Sequence, residues 1–505
     1  MSFPPALEAY VTRFGLSTAT RAFLSRSHGI CIDGTWSSGD ERAPVVEAST
    51  GEVLTSLTLG TTADIDRAVA AARRAFDAGP WPRLKPLERE QLLGRLADLI
   101  EEHHEELAEL ESLDVGKPLV EARDIDVQGT IDTLRYFAGW ASKVGGRSGE
   151  ASSLPGSYLT YTRREPVGVI GVIVPWNFPL QTLMWKLGAA LAVGCTVVVK
   201  PAELTSLSAL RFAELVHEAG IPDGVVNVVT GKGSVVGAHL AGHPGIDKIT
   251  FTGSTRTGHA VGTAALANWT RMTLELGGKS PVLVFDDVDL EQTVERVALG
   301  IFGNAGQVCD AGSRVYVHES IAEAFTARIA AHADRIVVGP GLDPATEMGP
   351  LVSEAQRAQV VACIEAGIAE GARLVAGGPE TDGPGFFIRP TVFAGVEQSM
   401  SIVREEIFGP VLTVASFSDE EEAIRLANDS PYGLAATIYS ESLSRVLRIA
   451  PRLQAGTVYV GAQSTIDPAM PFGGYKASGF GRDLGAEQLD HVTETKTVWI
   501  TIDDA

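Results

Sequence analysis

Cys309 lies in FGNAGQVCDAGSR, among polar residues, with Gly303, Gly306 and Gly312 around it. A thiol on a glycine-rich loop ahead of a strand is a candidate nucleophile, because the backbone can come close to a bound ligand there. Cys195 and Cys363 sit in apolar stretches and Cys31 precedes a turn, so these three read as small core or surface residues. Glu275, in MTLELGGKSPVLV, is a carboxylate between leucines. It is either a buried liability or a general base with a raised pKa. Asn177, in VPWNFP, follows an apolar run at a proline-framed turn, where its amide either donates to a developing oxyanion or simply forms the turn.

A second group of residues suits a dinucleotide. Lys200 and Glu203 close the strand of VVVKPAE, where open α/β sheets bind ligands. A carboxylate there accepts ribose hydroxyls and repels a 2′-phosphate; a surface ion pair is the other reading. Gly231-Lys232-Gly233 and Gly237 follow a strand and open a helix, but their spacing is GxGxxxG, which an ordinary strand–helix turn shares. Gly253 and Ser254, in FTGST, form another strand-to-helix turn whose N–H groups could face a pyrophosphate.

The elements that position these residues follow from periodicity. TTADIDRAVAAARRAFDAG reads as a helix, and LEREQLLGRLADLIEEHHEELAELESLDVGK as a second, ended near Gly116. His103 and His104 point about 100° apart on that helix and read as a solvated face, not a metal site. From Val167, strands alternate with helices, which implies a parallel sheet with right-handed crossovers. Residues 281–480 repeat the pattern as a second α/β unit. Two segments fit neither unit. SYLTYTRREP (157–166) and TKTVWITI (495–502) alternate like half-exposed strands and are candidates for a subunit interface.

The 505-residue chain carries 41 Lys plus Arg against 63 Asp plus Glu, a formal net charge of −22, so nucleic acid is not an expected partner. The longest apolar runs, Val167–Val174 and Leu187–Val199, fall short of the roughly 20 residues a membrane span needs. Four scattered cysteines with no CxxC point to a reducing compartment, and the start does not read as a secretory signal, so the expected location is cytoplasmic. No metal motif is present: no HExxH, no CxxC and no EF-hand loop.

In order, PWNFP, VVVKPAE, FTGST, ELGGK, GQVCDAGSR, EEIFGPV and PFGGYKASGFGR resemble the NAD(P)-dependent aldehyde dehydrogenase superfamily, from about Ile32 to Lys496. The resemblance implies an α/β fold: a Rossmann-type cofactor domain (1–146 and 167–278), a catalytic domain (279–484), and a bridging element (147–166 and 485–505) that joins dimers or tetramers. It implies Cys309 as nucleophile, Glu275 as the base for thioester hydrolysis, and Asn177 with the Cys309 N–H as oxyanion donors. It assigns Lys200 and Glu203 to the adenosine ribose and Ser254, beside Gly253, to the pyrophosphate. Glu406 and Phe408 fall to the nicotinamide ribose and ring, Trp176 to the cofactor cleft, and Gly233 to the Gly-rich turn. NAD is favoured over NADP through Glu203.

Phe178, Thr182, Trp185, Val308, Asp310 and Ile466, with Thr465, are the expected substrate-lining residues. Four features depart from the common pattern. Arg256 stands where relatives often carry an acid. Gly303 replaces an aromatic, which would open the substrate tunnel. Asp310 flanks the nucleophile, where it would favour a polar or cationic substrate or turn outward. GAQSTIDPAM lacks an Asn that often follows the preceding strand. FLSRSHGICIDGTW and MWKLGAALAVGCTVVVKPAE are similar to the aryl-acetaldehyde branch, notably phenylacetaldehyde dehydrogenases. The expected reaction is NAD-dependent oxidation of an aromatic or other bulky hydrophobic aldehyde to the acid. The alternatives are another aldehyde (aliphatic, terpenoid, betaine or semialdehyde), an acyl-CoA-forming or esterase activity, and a non-catalytic NAD-binding relative.

Overall fold

The computed structural model describes residues 3–379 and 383–502. Its first sheet has eight strands, in the order Gly479–Phe480, Arg271–Glu275, Lys248–Thr252, Val169–Ile173, Thr196–Lys200, Val226–Val228, Ile30–Ile32, Thr35–Ser37. The five from Arg271–Glu275 to Val226–Val228 are parallel, and the outer strands pair antiparallel. Val169–Ile173 and Thr196–Lys200 are buried throughout, which is why they read as unbroken apolar runs rather than alternating ones. The chain leaves Val169–Ile173 toward one edge and returns at Lys248–Thr252 toward the other. Their carboxyl ends form the switch point at which α/β sheets bind ligands.

The second sheet has seven strands, in the order Arg373–Ala376, Thr391–Ala394, Val411–Phe417, Arg314–His318, Pro281–Val284, Ala435–Tyr439, Thr457–Val460. All neighbours are parallel except the first pair. Two further antiparallel pieces stand apart. Arg42–Val46 pairs with Val53–Thr58. Ser157–Pro166 pairs along its whole length with Thr493–Ile502, from Thr493↔Pro166 to Ile502↔Ser157, so the two segments that fitted neither unit find each other.

Three local readings change. The stretch expected as one helix to Gly116 is two, Pro86–Glu102 and His104–Val115, joined at His103. The break carries Glu106 inward, where it accepts from Arg211 at 3.0 Å. His103 is half-buried and contacts Glu106 and Arg211, so it is not a solvated face. Gly116 does end the second helix, in a left-handed cap at φ 94 that L side chains resist. The segment after Gly233 opens as a π-helical turn, Gly233–Gly237, before Ala238–Ala241 continues as α-helix. Finally, Gly479–Phe480, placed by the sequence in the catalytic unit, hydrogen-bonds to the edge of the first sheet, with Gly479 opposite Glu275. Among the described residues no helix is long and apolar enough to cross a membrane.

Candidate active site

Glu275 is the last residue of Arg271–Glu275, held between Thr252 and Gly479 on the neighbouring strands. Neither of its carboxylate oxygens has a hydrogen-bond partner among the described residues. Burial pushes its pKa well above the ordinary carboxylate range; Asp483 adds to the rise, while Lys186 and Arg482 oppose it. A buried acid with a raised pKa holds a proton more readily than an exposed carboxylate and, once deprotonated, is a stronger base toward a bound molecule.

Cys309 is half-buried and free. Burial raises its thiol pKa, and Asp310, Glu406 and Glu275 push the same way. The Asp310 backbone N–H, directed at the sulfur, works against them. The loop leading to Cys309 is built from backbone that L residues avoid: Asn304, Ala305 and Gly306 have φ of 45, 52 and 70. Buried amides hold it in place. Gln307 donates to the Asn304 carbonyl at 3.0 Å and accepts from the Val352 N–H at 2.9 Å. Asn177 donates to the Gln307 carbonyl at 2.8 Å, and Asn304 donates to the Asn177 carbonyl at 3.1 Å. Asn177 is thus clamped to the nucleophile's own loop. Its amide carries two N–H groups, so one remains for a substrate oxygen.

The cofactor candidates gather at the carboxyl edge of the first sheet. Lys200 is 5% exposed, yet its ammonium has no hydrogen-bond partner among the described residues. A Cβ at Gly233 or Gly237 would meet the Lys200 side chain at 3.7 or 3.8 Å, ordinary contact, which places the Gly-rich turn directly beside this lysine. Glu203 is exposed and accepts the Gly233 N–H at 3.3 Å. Ser254 caps the helix Thr255–Leu266, and the Gly253 N–H donates to the Glu275 carbonyl at 3.1 Å, tying this turn to the base. Glu406 accepts the Gly278 N–H at 3.0 Å, and burial lifts its pKa to about 7. Phe408 is held at φ 55, with its ring edge-on to Trp176 at 5.1 Å. A buried lysine without a hydrogen-bond partner among the described residues, a Gly-rich turn beside it, a buried acid and an aromatic at positive φ suit the two ends of a dinucleotide.

A sequence profile of the aldehyde dehydrogenase family matches residues 36–498. The chain belongs to the aldehyde dehydrogenase family. Retinal dehydrogenase 2 from Mus musculus is 46% identical over 94% of this chain and 92% of its own. The NAD+ complex of an aldehyde dehydrogenase from Bacillus cereus superposes with a TM-score of 0.94 at 46% identity, covering 97% of this chain and 99% of that one. Betaine aldehyde dehydrogenase from Staphylococcus aureus, with NAD+, gives a TM-score of 0.94 at 39% identity, covering 96% and 97%. The protein is an NAD-dependent aldehyde dehydrogenase, an α/β enzyme of the fold expected from its motifs.

The residues expected from the sequence to line the substrate path of this aldehyde dehydrogenase lie in different settings. Phe178 precedes the helix Pro179–Val193, its ring covered by the Lys117 ammonium at 3.8 Å. Thr182 turns its hydroxyl back to the Phe178 carbonyl at 2.7 Å. Trp185 is buried against Phe472, at 5.3 Å between ring centres. Val308 is half-buried against the second core; Ile466 is half-buried and Thr465 exposed. Asp310 corrects the sequence reading. It neither turns outward nor presents a free carboxylate: it is buried and accepts from Tyr459 at 3.0 Å and Ser464 at 3.1 Å. Those partners lie about 150 residues away, so spacing could not reveal them.

Two site features escaped the sequence reading. Lys186 and Asp483 form a buried pair at 2.7 Å that acts on Glu275 from both sides. A lysine inside the apolar stretch LMWKLGAALA was the available signal, since a buried cation needs a partner. Glu121, whose pKa burial raises to about 7, accepts the Asn304 N–H at 3.1 Å. Nothing in its local sequence marks it. A third cluster lies elsewhere: Asp66, His239 and His243 bring ligand atoms within 4.8 Å of one another. The Gly245 N–H donates to His243 Nδ1 at 2.9 Å, which puts that ring's proton on Nε2, facing Asp66. This trio therefore serves as a hydrogen-bonded array, because a metal would need the opposite tautomer.

Proposed function

We propose that this enzyme oxidises a bulky hydrophobic aldehyde to the free acid, with an aromatic aldehyde such as phenylacetaldehyde as the leading candidate. In this reading Cys309 loses its proton to solvent water, and its thiolate sulfur attacks the aldehyde carbon, giving the thiohemiacetal oxyanion. The Asn177 amide and the Cys309 N–H hold the developing oxyanion, and a donor of this kind is worth about 10²–10³ in rate. NAD, held by Lys200, Glu203, Ser254, Glu406 and Phe408, supplies a hydride acceptor when bound. Glu275 then takes a proton from the water that attacks the Cys309 thioester, releasing the acid and the thiol. The presence of this base favours hydrolysis over transfer to a thiol carrier.

The observation that carries the substrate class is the space beside Gly303. A Cβ built there meets only one heavy atom within 4 Å, Glu121 Oε1, at 3.9 Å. Retinal dehydrogenase 2 names a bulky apolar substrate, and this chain shares 46% of its residues. A cationic substrate such as betaine aldehyde suits the site less, because Tyr459 and Ser464 already engage the Asp310 carboxylate. Assembly as a dimer or tetramer through Ser157–Pro166 and Thr493–Ile502 is part of the same reading. Leu159, Trp499, Ile500 and Ile502 leave a large apolar surface exposed there. Four free cysteines suit a reducing, cytoplasmic setting.

The test is kcat/KM for phenylacetaldehyde, retinal, propanal, betaine aldehyde and succinic semialdehyde, with and without Gly303→Phe. Gly303 has ordinary φ and ψ of −53 and 141, so the ring strains no backbone. The expected loss is about 10- to 100-fold for the two bulky aldehydes, with propanal little changed. Betaine aldehyde or succinic semialdehyde turned over as well as phenylacetaldehyde would overturn the substrate reading.

A further inference from the structure

The turn that follows Gly116-Lys117-Pro118 carries Leu119–Glu121, and Glu121 reaches the loop that leads to the nucleophile. One oxygen of Glu121, Oε2, accepts the Asn304 N–H. The other, Oε1, has no hydrogen-bond partner among the described residues and lies 3.9 Å from where a Cβ at Gly303 would stand. Leu119, two residues before Glu121, and Cys309 are both half-buried hydrophobic residues packed against the same core. The Lys117 ammonium favours the charged form of Glu121 but makes no ion pair with it among the described residues. The Lys117 ammonium is committed to Asp126 at 2.5 Å and to the Phe178 ring. Glu111, behind Asp126, has its own pKa raised by burial and by Asp126.

We propose that Glu121 is a specificity-determining residue, whose free oxygen binds a neutral hydrogen-bond donor, a hydroxyl, on the part of the aldehyde remote from its reacting carbon. The proposal rests on the reading of Cys309 as nucleophile and of the space beside Gly303 as the aldehyde's path. A neutral hydroxyl fits better than an amine because burial lifts the Glu121 pKa to about 7, so at neutral pH the group is not the fixed anion that would hold an ammonium. The substrate class then becomes a bulky hydrophobic aldehyde with a hydroxyl at its far end. A wall that is otherwise apolar gains selectivity from one such group, since the acid stays unpaired when the substrate lacks the donor.

The experiment measures a ratio. kcat/KM is compared within two matched pairs, phenylacetaldehyde with its para-hydroxy derivative and octanal with ω-hydroxyoctanal. The proteins are the full-length enzyme, Glu121→Gln and Glu121→Leu. The unsubstituted enzyme is expected to favour the hydroxylated member of at least one pair by about 10- to 100-fold. Glu121→Gln should keep part of that preference and Glu121→Leu should lose it. A purely structural role, exerted through Asn304, would slow both members alike and leave the ratio unmoved, which overturns the proposal. So does the absence of a hydroxyl preference in both pairs, or of turnover with both. Turnover of the octanal pair alone would refute the aromatic reading, while its ratio would still decide the role of Glu121.

Discussion

Gly277→Ala should damage cofactor binding while leaving the nucleophile intact. A Cβ at 277 would lie 2.1 Å from Glu406 Oε2, 2.6 Å from Cδ and 2.8 Å from Oε1. Ordinary contact begins near 3.4 Å, so the carboxylate must retreat by about 1.3 Å. That motion takes Oε1 out of reach of the Gly278 N–H, which now donates at 3.0 Å. A hydrogen bond to a charged group contributes about 1.5–3 kcal/mol. If Glu406 holds the nicotinamide ribose, affinity for NAD should fall by about 10- to 150-fold. Titration calorimetry gives the dissociation constant. Hydrolysis of para-nitrophenyl acetate, which needs the Cys309 thiol but no hydride acceptor, is the control and should change little. A double-mutant cycle with Glu406→Ala sharpens the test. Once the carboxylate is gone, the added methyl has nothing to displace and its cost should vanish. An NAD affinity within about threefold of the parent in Gly277→Ala, or full additivity in the cycle, would refute the argument.

Glu275→Gln should still form the thioester, giving a burst of about one NADH per site followed by turnover slowed about 10²–10⁴-fold; undiminished steady turnover would remove Glu275 from the hydrolytic step. In the parent enzyme the base works only when deprotonated, and its pKa is raised, so hydrolysis should fail as pH drops through that raised value and recover above it. Asp483→Asn removes a like charge and leaves the Lys186 cation beside Glu275, so the pH–rate profile should move to lower pH; an unmoved profile would separate the pair from the base. Asn177→Ala should lower kcat by about 10²–10³ with NAD affinity retained, measured by steady-state kinetics and calorimetry.

Much of this enzyme is legible along the chain because its parallel strands are buried on both faces and its turns need particular residues. VGVIGVIVP and CTVVVK are unbroken apolar runs since helices cover both sides of Val169–Ile173 and Thr196–Lys200. Glycine and a capping serine mark FTGST and ELGGK because the backbone approaches Glu406 and Phe251 too closely for a Cβ. Cys309, Glu275 and Asn177 stand out because a thiol, an acid and an amide in apolar or glycine-framed settings are costly to keep without a use. The π-helical turn after Gly233 and the break at His103 were not legible; beside the break, Glu106 meets Arg211, a partner 105 residues away in the chain.

What tertiary structure alone decided is partnership. Asp310 reads along the chain as an acid facing substrate or solvent, and only folding brings Tyr459 and Ser464 to occupy it. Lys186 and Asp483 are 297 residues apart in the chain, yet they meet beside Glu275 and set the balance of charge that shifts its pKa. Glu121 carries no local mark at all; its meaning comes from Asn304 and from the empty volume at Gly303. Residue type and local spacing determine which groups can do chemistry and which backbone carries them. Which charges are buried together, and which are left without a partner, depends on distances between segments far apart in the chain, and those exist only once the sheets have packed.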